Sequence, residues 1–179
     1  MRRTVAVALV AALAAFAALA TAPAPAGAAT EITAAKRLEA AVLKRMNAVR
    51  KAHGRNPLRA AKRLNRAGRA HTVNMARHGY FAHRWSNGDR YGRWIRRFWP
   101  GPDYRSWSAG ENLYWEGPST TARRVVRAWM RSPGHRRNLL SRDWRRVGVG
   151  AVRVDDPTGT YSVVPTAFIV AAEYGHRSS

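Results

Sequence analysis

The chain has 179 residues, enough for one domain with a sizeable core, and carries 32 Lys+Arg against 10 Asp+Glu. The absence of cysteine excludes a disulfide framework, a thiol nucleophile and any Cys-liganded zinc or iron–sulfur centre. A hydrophobic fraction of 46% with seven tryptophans excludes wholesale disorder, and a formal charge of +22 points to anionic partners.

Met1-Arg2-Arg3 is a short basic start, followed by 16 apolar residues from Val5 to Ala20. A small, Pro-rich stretch to Ala29 contains Ala26-Gly27-Ala28, an A-x-A cleavage site. This three-part layout predicts a secretory signal peptide over residues 1–28. The apolar run is shorter than the ~20 residues that span a bilayer, so it reads as an address and not an anchor. Cleavage removes Arg2 and Arg3, leaving 30 − 10 = +20 on the exported chain. The Arg bias (28 Arg, 4 Lys) and the Ala-rich leader fit a bacterial origin.

Residues 33–53 are predicted as an amphipathic helix, with Leu38, Val42, Met46 and Val49 on one stripe. Gly54 and Asn56-Pro57 stop it. A second helix over 62–78 carries Leu64, Ala67, His71 and Met75, and Gly79 ends it. On that apolar stripe His71 reads as a satisfied core histidine. Asn87-Gly88 marks a turn, and Tyr91, Trp94, Ile95 and Phe98 give a short third helix, broken by Pro100-Gly101-Pro102. Ser119 or Thr120 caps a fourth helix that runs to Arg131, with Ala122, Val125, Val126 and Trp129 buried. Pro133-Gly134 opens a brief turn or helix near His135–Leu140. Val147, Val149, Ala151 and Val152 then read as a strand, and Tyr161–Tyr174 as a second strand with Pro165 as a break or edge within it. Helices first and antiparallel strands last define an α+β chain.

Three short polar segments stand out: Tyr80-Phe81-Ala82-His83, Gly110-Glu111-Asn112-Leu113, and Ser132-Pro133-Gly134-His135-Arg136-Arg137-Asn138-Leu139-Leu140. Taken singly, a loop histidine or a Glu among arginines is most simply a hydrogen-bonder or half of an ion pair. In combination and order, Phe81–His83, Gly110–Leu113, Trp129–Leu140 and the Val147–Gly150 G-[VI]-G resemble the CAP superfamily of cysteine-rich secretory, antigen 5 and pathogenesis-related proteins. Met46-Asn47-Ala48-Val49-Arg50 and Ala70-His71…Met75-Ala76 are similar to its bacterial, SCP-like branch. The resemblance covers residues 36–175, with 29–35 as a short linker and 176–179 as a tail.

The resemblance implies a three-layer α-β-α sandwich with a central cleft holding two histidines and two glutamates. Carried onto this chain, these are His83, Glu111 and His135, while Ser132 stands where the second glutamate falls. His83, Glu111 and His135 are therefore the expected ligands of a divalent cation such as zinc, and also the candidates for any catalytic role. Two imidazoles and one carboxylate are the ligand set of open zinc centres.

All seven tryptophans lie between Trp85 and Trp144, and the segment 84–115 interleaves rings with arginines. Aromatic faces stack on sugars and lipids, and guanidinium groups grip phosphates. Residues 36–78 carry 13 Lys+Arg against one acid, and residues 119–153 carry 10 Arg against Asp143, so the positive charge is not one docking stripe. The sequence has no recognised nucleic-acid motif, and the leader sends it outside, which argues against specific nucleic-acid recognition. The expected function is a secreted, non-enzymatic binder of a lipid or anionic cell-envelope ligand in or near the cleft. A metal-dependent hydrolase and a purely electrostatic surface adhesin are the alternatives.

Overall fold

A computed structural model describes residues 30–100 and 105–178; the expected signal peptide lies outside them. In chain order come β1 (Glu31–Ala34), α1 (Lys36–Ala52), β2 (Arg59–Ala60), α2 (Lys62–His78), α3 (Tyr91–Phe98), β3 (Ser106–Glu116), α4 (Ala122–Arg131), α5 (Pro133–Leu140), β4 (Arg146–Asp155) and β5 (Thr166–Ser178). The strands form one sheet in the order β1-β4-β5-β3, antiparallel throughout, with β2 pairing parallel to the start of β4. No helix among the described residues is long and apolar enough to cross a membrane.

The sheet is covered on both faces, and the period-2 alternation of its strands decides which residue serves which layer. On β5, Val170, Ala172 and Tyr174 pack with Val42 and Met46 of α1, Val125, Val126 and Trp129 of α4, and Leu139 of α5. Ile169 and Ala171, one position out of phase, pack with Met75 and Ala76 of α2. A third cluster joins α2 to α3 through Leu64, Ala67, Trp94 and Ile95. The result is an α+β fold in three layers: α2 and α3, the sheet, then α1, α4 and α5.

Glycine sets how closely α2 lies on the sheet. A Cβ on Gly148 would fall 1.9 Å from the Leu64 carbonyl carbon, and one on Gly150 would fall 2.1 Å from the Gly68 carbonyl carbon. Backbone meets backbone there, so the G-x-G of β4 is a packing device. His71, one turn beyond Gly68, is thereby brought down onto the sheet face.

The helices lie close to where periodicity puts them, with the α4 cap moved to Thr121, whose hydroxyl accepts from the Arg124 amide. β1, β2 and β3 were not evident in sequence. β1 falls in the segment expected as linker, and β5 runs on to Ser178, so the sheet extends past 36–175 at both ends. β3 escapes a polarity pattern because both its faces are covered, and Gly110, Glu111 and Asn112 interrupt its apolar run. The stretch before Pro165 is a 3₁₀ turn at Gly159–Tyr161, and β5 starts only at Thr166, because proline cannot donate to the ladder.

Candidate functional site

Glu111 sits mid-way along β3 with its side chain on the α2 face, 3% exposed. Nδ1 of His71 donates to its Oε1 at 2.7 Å and Nδ1 of His83 donates to its Oε2 at 2.6 Å. An ionised carboxylate only accepts, so one acid is shared between two imidazoles. Burial acts against the Glu111 charge, but the two imidazole bonds outweigh it and hold the carboxyl below its ordinary value. The bond to Glu111 raises His83 above its ordinary value, against the opposing effect of burial.

Each member is held by its own element. His71 is fully buried on α2, its ring stacked on Trp85 with centroids 5.7 Å apart, and its Nε2 lies 3.2 Å from the Arg84 carbonyl. His83 follows α2 in a loop tied down by Asn74, whose Oδ1 accepts from the Tyr80 hydroxyl at 2.6 Å and the Ser86 amide at 3.1 Å. The His83 side chain is 49% exposed, so one edge of the cluster faces water.

His135 enters from the opposite layer in the first turn of α5. Asn112 fixes it by donating to the His135 carbonyl at 2.9 Å, and Asn138 donates both to Asn112 Oδ1 at 3.0 Å and to the Glu111 carbonyl at 3.1 Å. Gly110 lets α5 come this near, since a Cβ there would lie 3.2 Å from Asn138 Oδ1 on α5 and 2.9 Å from the Trp144 ring beyond it. The G-E-N and H-R-x-N segments are thus one interlocked joint. The His135 ring lies 6.1 Å from the His83 ring and makes no hydrogen bond to a described residue. Burial, with the neighbouring His83, pushes His135 below its ordinary value. The structure therefore brings His83 and Glu111 into contact and sets His135 beside them.

Ser132, at the family's second-glutamate position, forms the corner where α4 ends and α5 begins. The second carboxyl of the cluster comes instead from Glu173 on β5. Glu173 is fully buried, lies directly across from Glu111 in the strand pairing, and neither of its oxygens hydrogen-bonds a described residue. Burial first, and then the Glu111 charge, push its carboxyl well above the ordinary value, so Glu111 carries the charge and Glu173 the proton. Glu173 lies outside the three polar segments that stand out in the sequence. Its signal is a lone acid in the apolar run Phe168–Tyr174, in a chain with only 10 acids.

Zinc is the metal that the resemblance implies. With Nδ1 of His83 bonded to Glu111, the nitrogen left for an ion is Nε2, and Glu111 takes the place of the carboxylate that orients a zinc-bound imidazole from behind. An ion shared by His83 and His135, whose ring centroids are 6.1 Å apart, would take one nitrogen from each, with Glu111 behind His83. Among the described residues, the group whose ligand atoms all lie within 4.8 Å is a different one, His71, Glu111 and Glu173, all buried.

An α-β-α sandwich with histidines from two layers meeting over a sheet carboxylate defines an SCP-like domain. The chain belongs to CAP, the cysteine-rich secretory protein family, whose sequence pattern matches residues 43–170. It is 34% identical over 117 residues to the uncharacterized protein YkwD of Bacillus subtilis, covering 64% of this chain and 42% of YkwD. The fold is similar to that of an extracellular SCP-domain protein from Bacillus anthracis, at TM-score 0.62 and 20% identity over 79% of this chain and 41% of that one. It is also similar to an outer surface protein of Borrelia burgdorferi, at TM-score 0.67 and 17% identity over 84% of this chain and 100% of that one. The chain spans less than half the length of YkwD and of the Bacillus anthracis protein.

Proposed function

We propose that this is an exported binding protein that takes an anionic cell-envelope ligand, a lipid head group or a wall polymer, at the histidine-lined cleft. The observation that carries this reading is the polarity of the groups that reach water. Glu111 is buried and committed to two imidazoles, and Glu173 is buried across the strand pairing from it, whereas the His83 side chain reaches water and two arginine-lined hollows include Arg84 and Arg136, the sequence neighbours of His83 and His135. One hollow, of about 760 Å³, has Arg84, Arg90, Arg93 and Arg96 with Trp107 in its wall, four guanidinium groups against one carboxylate, Asp89, which pairs with Arg93. The other, of about 540 Å³, has Arg136 and Arg137 with Pro133 and Leu140. Such a rim attracts phosphate and carboxylate groups and repels cations. Export is supported by the leader-like first 28 residues, and by fold relatives described as extracellular and outer surface proteins.

The test is binding of the purified protein to phosphatidylglycerol vesicles and to purified wall polymer at ~0.15 M salt, where exposed charge attraction is screened. Saturable binding that weakens in a His83→Ala, His135→Ala variant supports the cleft. Binding that is unsaturable, or identical in that variant, removes it and leaves surface adhesion by charge alone.

A metal-dependent hydrolase is a second reading, favoured by the 6.1 Å approach of the His83 and His135 rings with Glu111 behind His83. An ion held there would supply Lewis-acid polarisation of a bound oxygen. Zinc affinity that is unchanged in the double histidine variant sinks this reading.

A further inference from the structure

At the end of α5 away from His135, two adjoining hollows open where the loop after α1 meets the loop before β4. One, of about 280 Å³, is lined by Arg50, Gly54, Arg55, Asn56, Arg142 and Arg145. The next, of about 450 Å³, is lined by Asn56, Pro57, Arg59, Arg145 and Arg146, so Asn56 and Arg145 belong to both. No carboxylate lines either hollow. The acid of this segment, Asp143, is engaged by the Ser141 hydroxyl at 3.0 Å. None of the six arginines forms an ion pair with a described acid.

The floor of this groove is built into the fold. Arg50 is 1% exposed, and its guanidinium donates to the carbonyls of Asn56 at 2.8 Å, Leu139 at 2.7 Å and Ser141 at 2.9 Å. Arg55 is likewise fixed, its Nε donating to the Leu140 carbonyl at 3.0 Å. Burial holds Arg50 below its ordinary value, and the charges of Arg55 and Arg145 push the same way. Like charges gathered without a counter-charge are costly to the folded state, and a bound anion removes that cost.

We infer that this arginine groove binds a phosphodiester polymer of the polyol-phosphate kind, each hollow seating one phosphate of the chain. Guanidinium forks match phosphate oxygens two at a time. Two joined hollows suit a repeating anion better than a single one. No aromatic ring lines either hollow, so there is no face on which a nucleic-acid base would stack, and Pro57 is the one apolar residue, too little to enter a bilayer. The groove is separate from the histidine cleft, and either site can fail alone.

The experiment measures binding of the purified protein to poly(glycerol phosphate) of defined length at ~0.15 M salt. Inorganic phosphate, single-stranded DNA and phosphatidylglycerol vesicles are run alongside. The test variant is Arg59→Gln, Arg142→Gln, Arg146→Gln, three exposed side chains. The charge-matched control is Arg37→Gln, Arg123→Gln, Arg127→Gln, exposed on other elements. The expected result is at least about a tenfold loss of polymer affinity in the first, under about threefold in the second, and incomplete recovery when the same three positions carry lysine. The polymer should also raise the melting temperature of the native chain and not of the groove variant. Equal losses in both variants overturn the proposal in favour of diffuse attraction. Equal or tighter binding of DNA or vesicles through the same arginines overturns the polymer as ligand. Polymer affinity that falls only in the His83→Ala, His135→Ala variant overturns the groove and leaves the cleft reading standing.

Discussion

Glu173 lies directly opposite Glu111 across β3 and β5, with both side chains buried on the α2 face. Two carboxyls so placed cannot both ionise cheaply, and His71 and His83 decide which one does. Because the folded-state value of Glu173 is raised above the ordinary 4.5, its stabilising contribution is complete below pH 4.5 and is lost as pH rises through the raised value. A Glu173→Gln variant keeps the shape, cannot ionise, and offers Glu111 an amide donor. It should match the native chain near pH 4 and exceed it by about 1–3 kcal/mol at pH 8. Thermal unfolding at the two pH values checks this, and a variant less stable at pH 8 contradicts the assignment of the proton to Glu173.

The same carboxylate should split the two cleft histidines. His83 is raised above 6.5 by its bond to Glu111, and His135 is lowered by burial and by His83. The contribution of His83 to stability is therefore full below pH 6.5 and lost as pH rises through its higher folded value. Ring-proton NMR titration should show His83 still charged at pH 6.5 and His135 mostly neutral. In Glu111→Gln the His83 value should fall and stability drop by about 2–4 kcal/mol, since the amide keeps one acceptor and sets a donor against the other imidazole N–H. If the two titration curves coincide, the cluster is not organised around Glu111.

Periodicity made the helices legible, because α2 and α4 each keep one apolar stripe against the sheet; motif order located His83, Glu111 and His135. What stayed hidden has a common physical cause. β3 is covered on both faces, Gly110 and Asn112 facing Asn138 of α5 and the Glu111 side chain facing His71 and His83, so no polar–apolar alternation marks the strand. Glu173 and His71 join the cluster only through strand register and the close seat of α2, neither of which is a local property of sequence. Glu111, a candidate metal ligand in sequence, bonds His83 in space and also stands within 4.8 Å of ligand atoms on His71 and Glu173, a grouping that only the fold creates.

The seat of α2 gives a sharp stability prediction. In Gly148→Ala the new methyl would fall 1.9 Å from the Leu64 backbone, where nothing flexible can yield. Loss should reach at least about 3 kcal/mol, the upper end for overpacking, or leave no soluble protein. Gly92→Ala on α3, where a Cβ meets nothing within 4 Å, should instead gain about 0.5–1 kcal/mol. Urea unfolding of both variants separates close packing from general intolerance of glycine replacement. A mild Gly148→Ala variant would mean that α2 rides higher on the sheet than described.

Arg50 offers the complementary case, a buried charge kept for its donors and not for an ion pair. It satisfies three carbonyls, of Asn56, Leu139 and Ser141, and so ties the end of α1 to the end of α5. Arg50→Met preserves length and apolar bulk but orphans those oxygens, so it should cost about 2–4 kcal/mol. Arg50→Lys should recover only part, because an ammonium cannot span three separated acceptors as a planar fork does. Amide hydrogen exchange gives the discriminating readout. Protection should fall first across Leu139–Arg146 while α2 and β5 keep theirs, because the arginine holds that joint and not the sheet. Uniform loss of protection over the whole chain would instead make Arg50 a part of the global core.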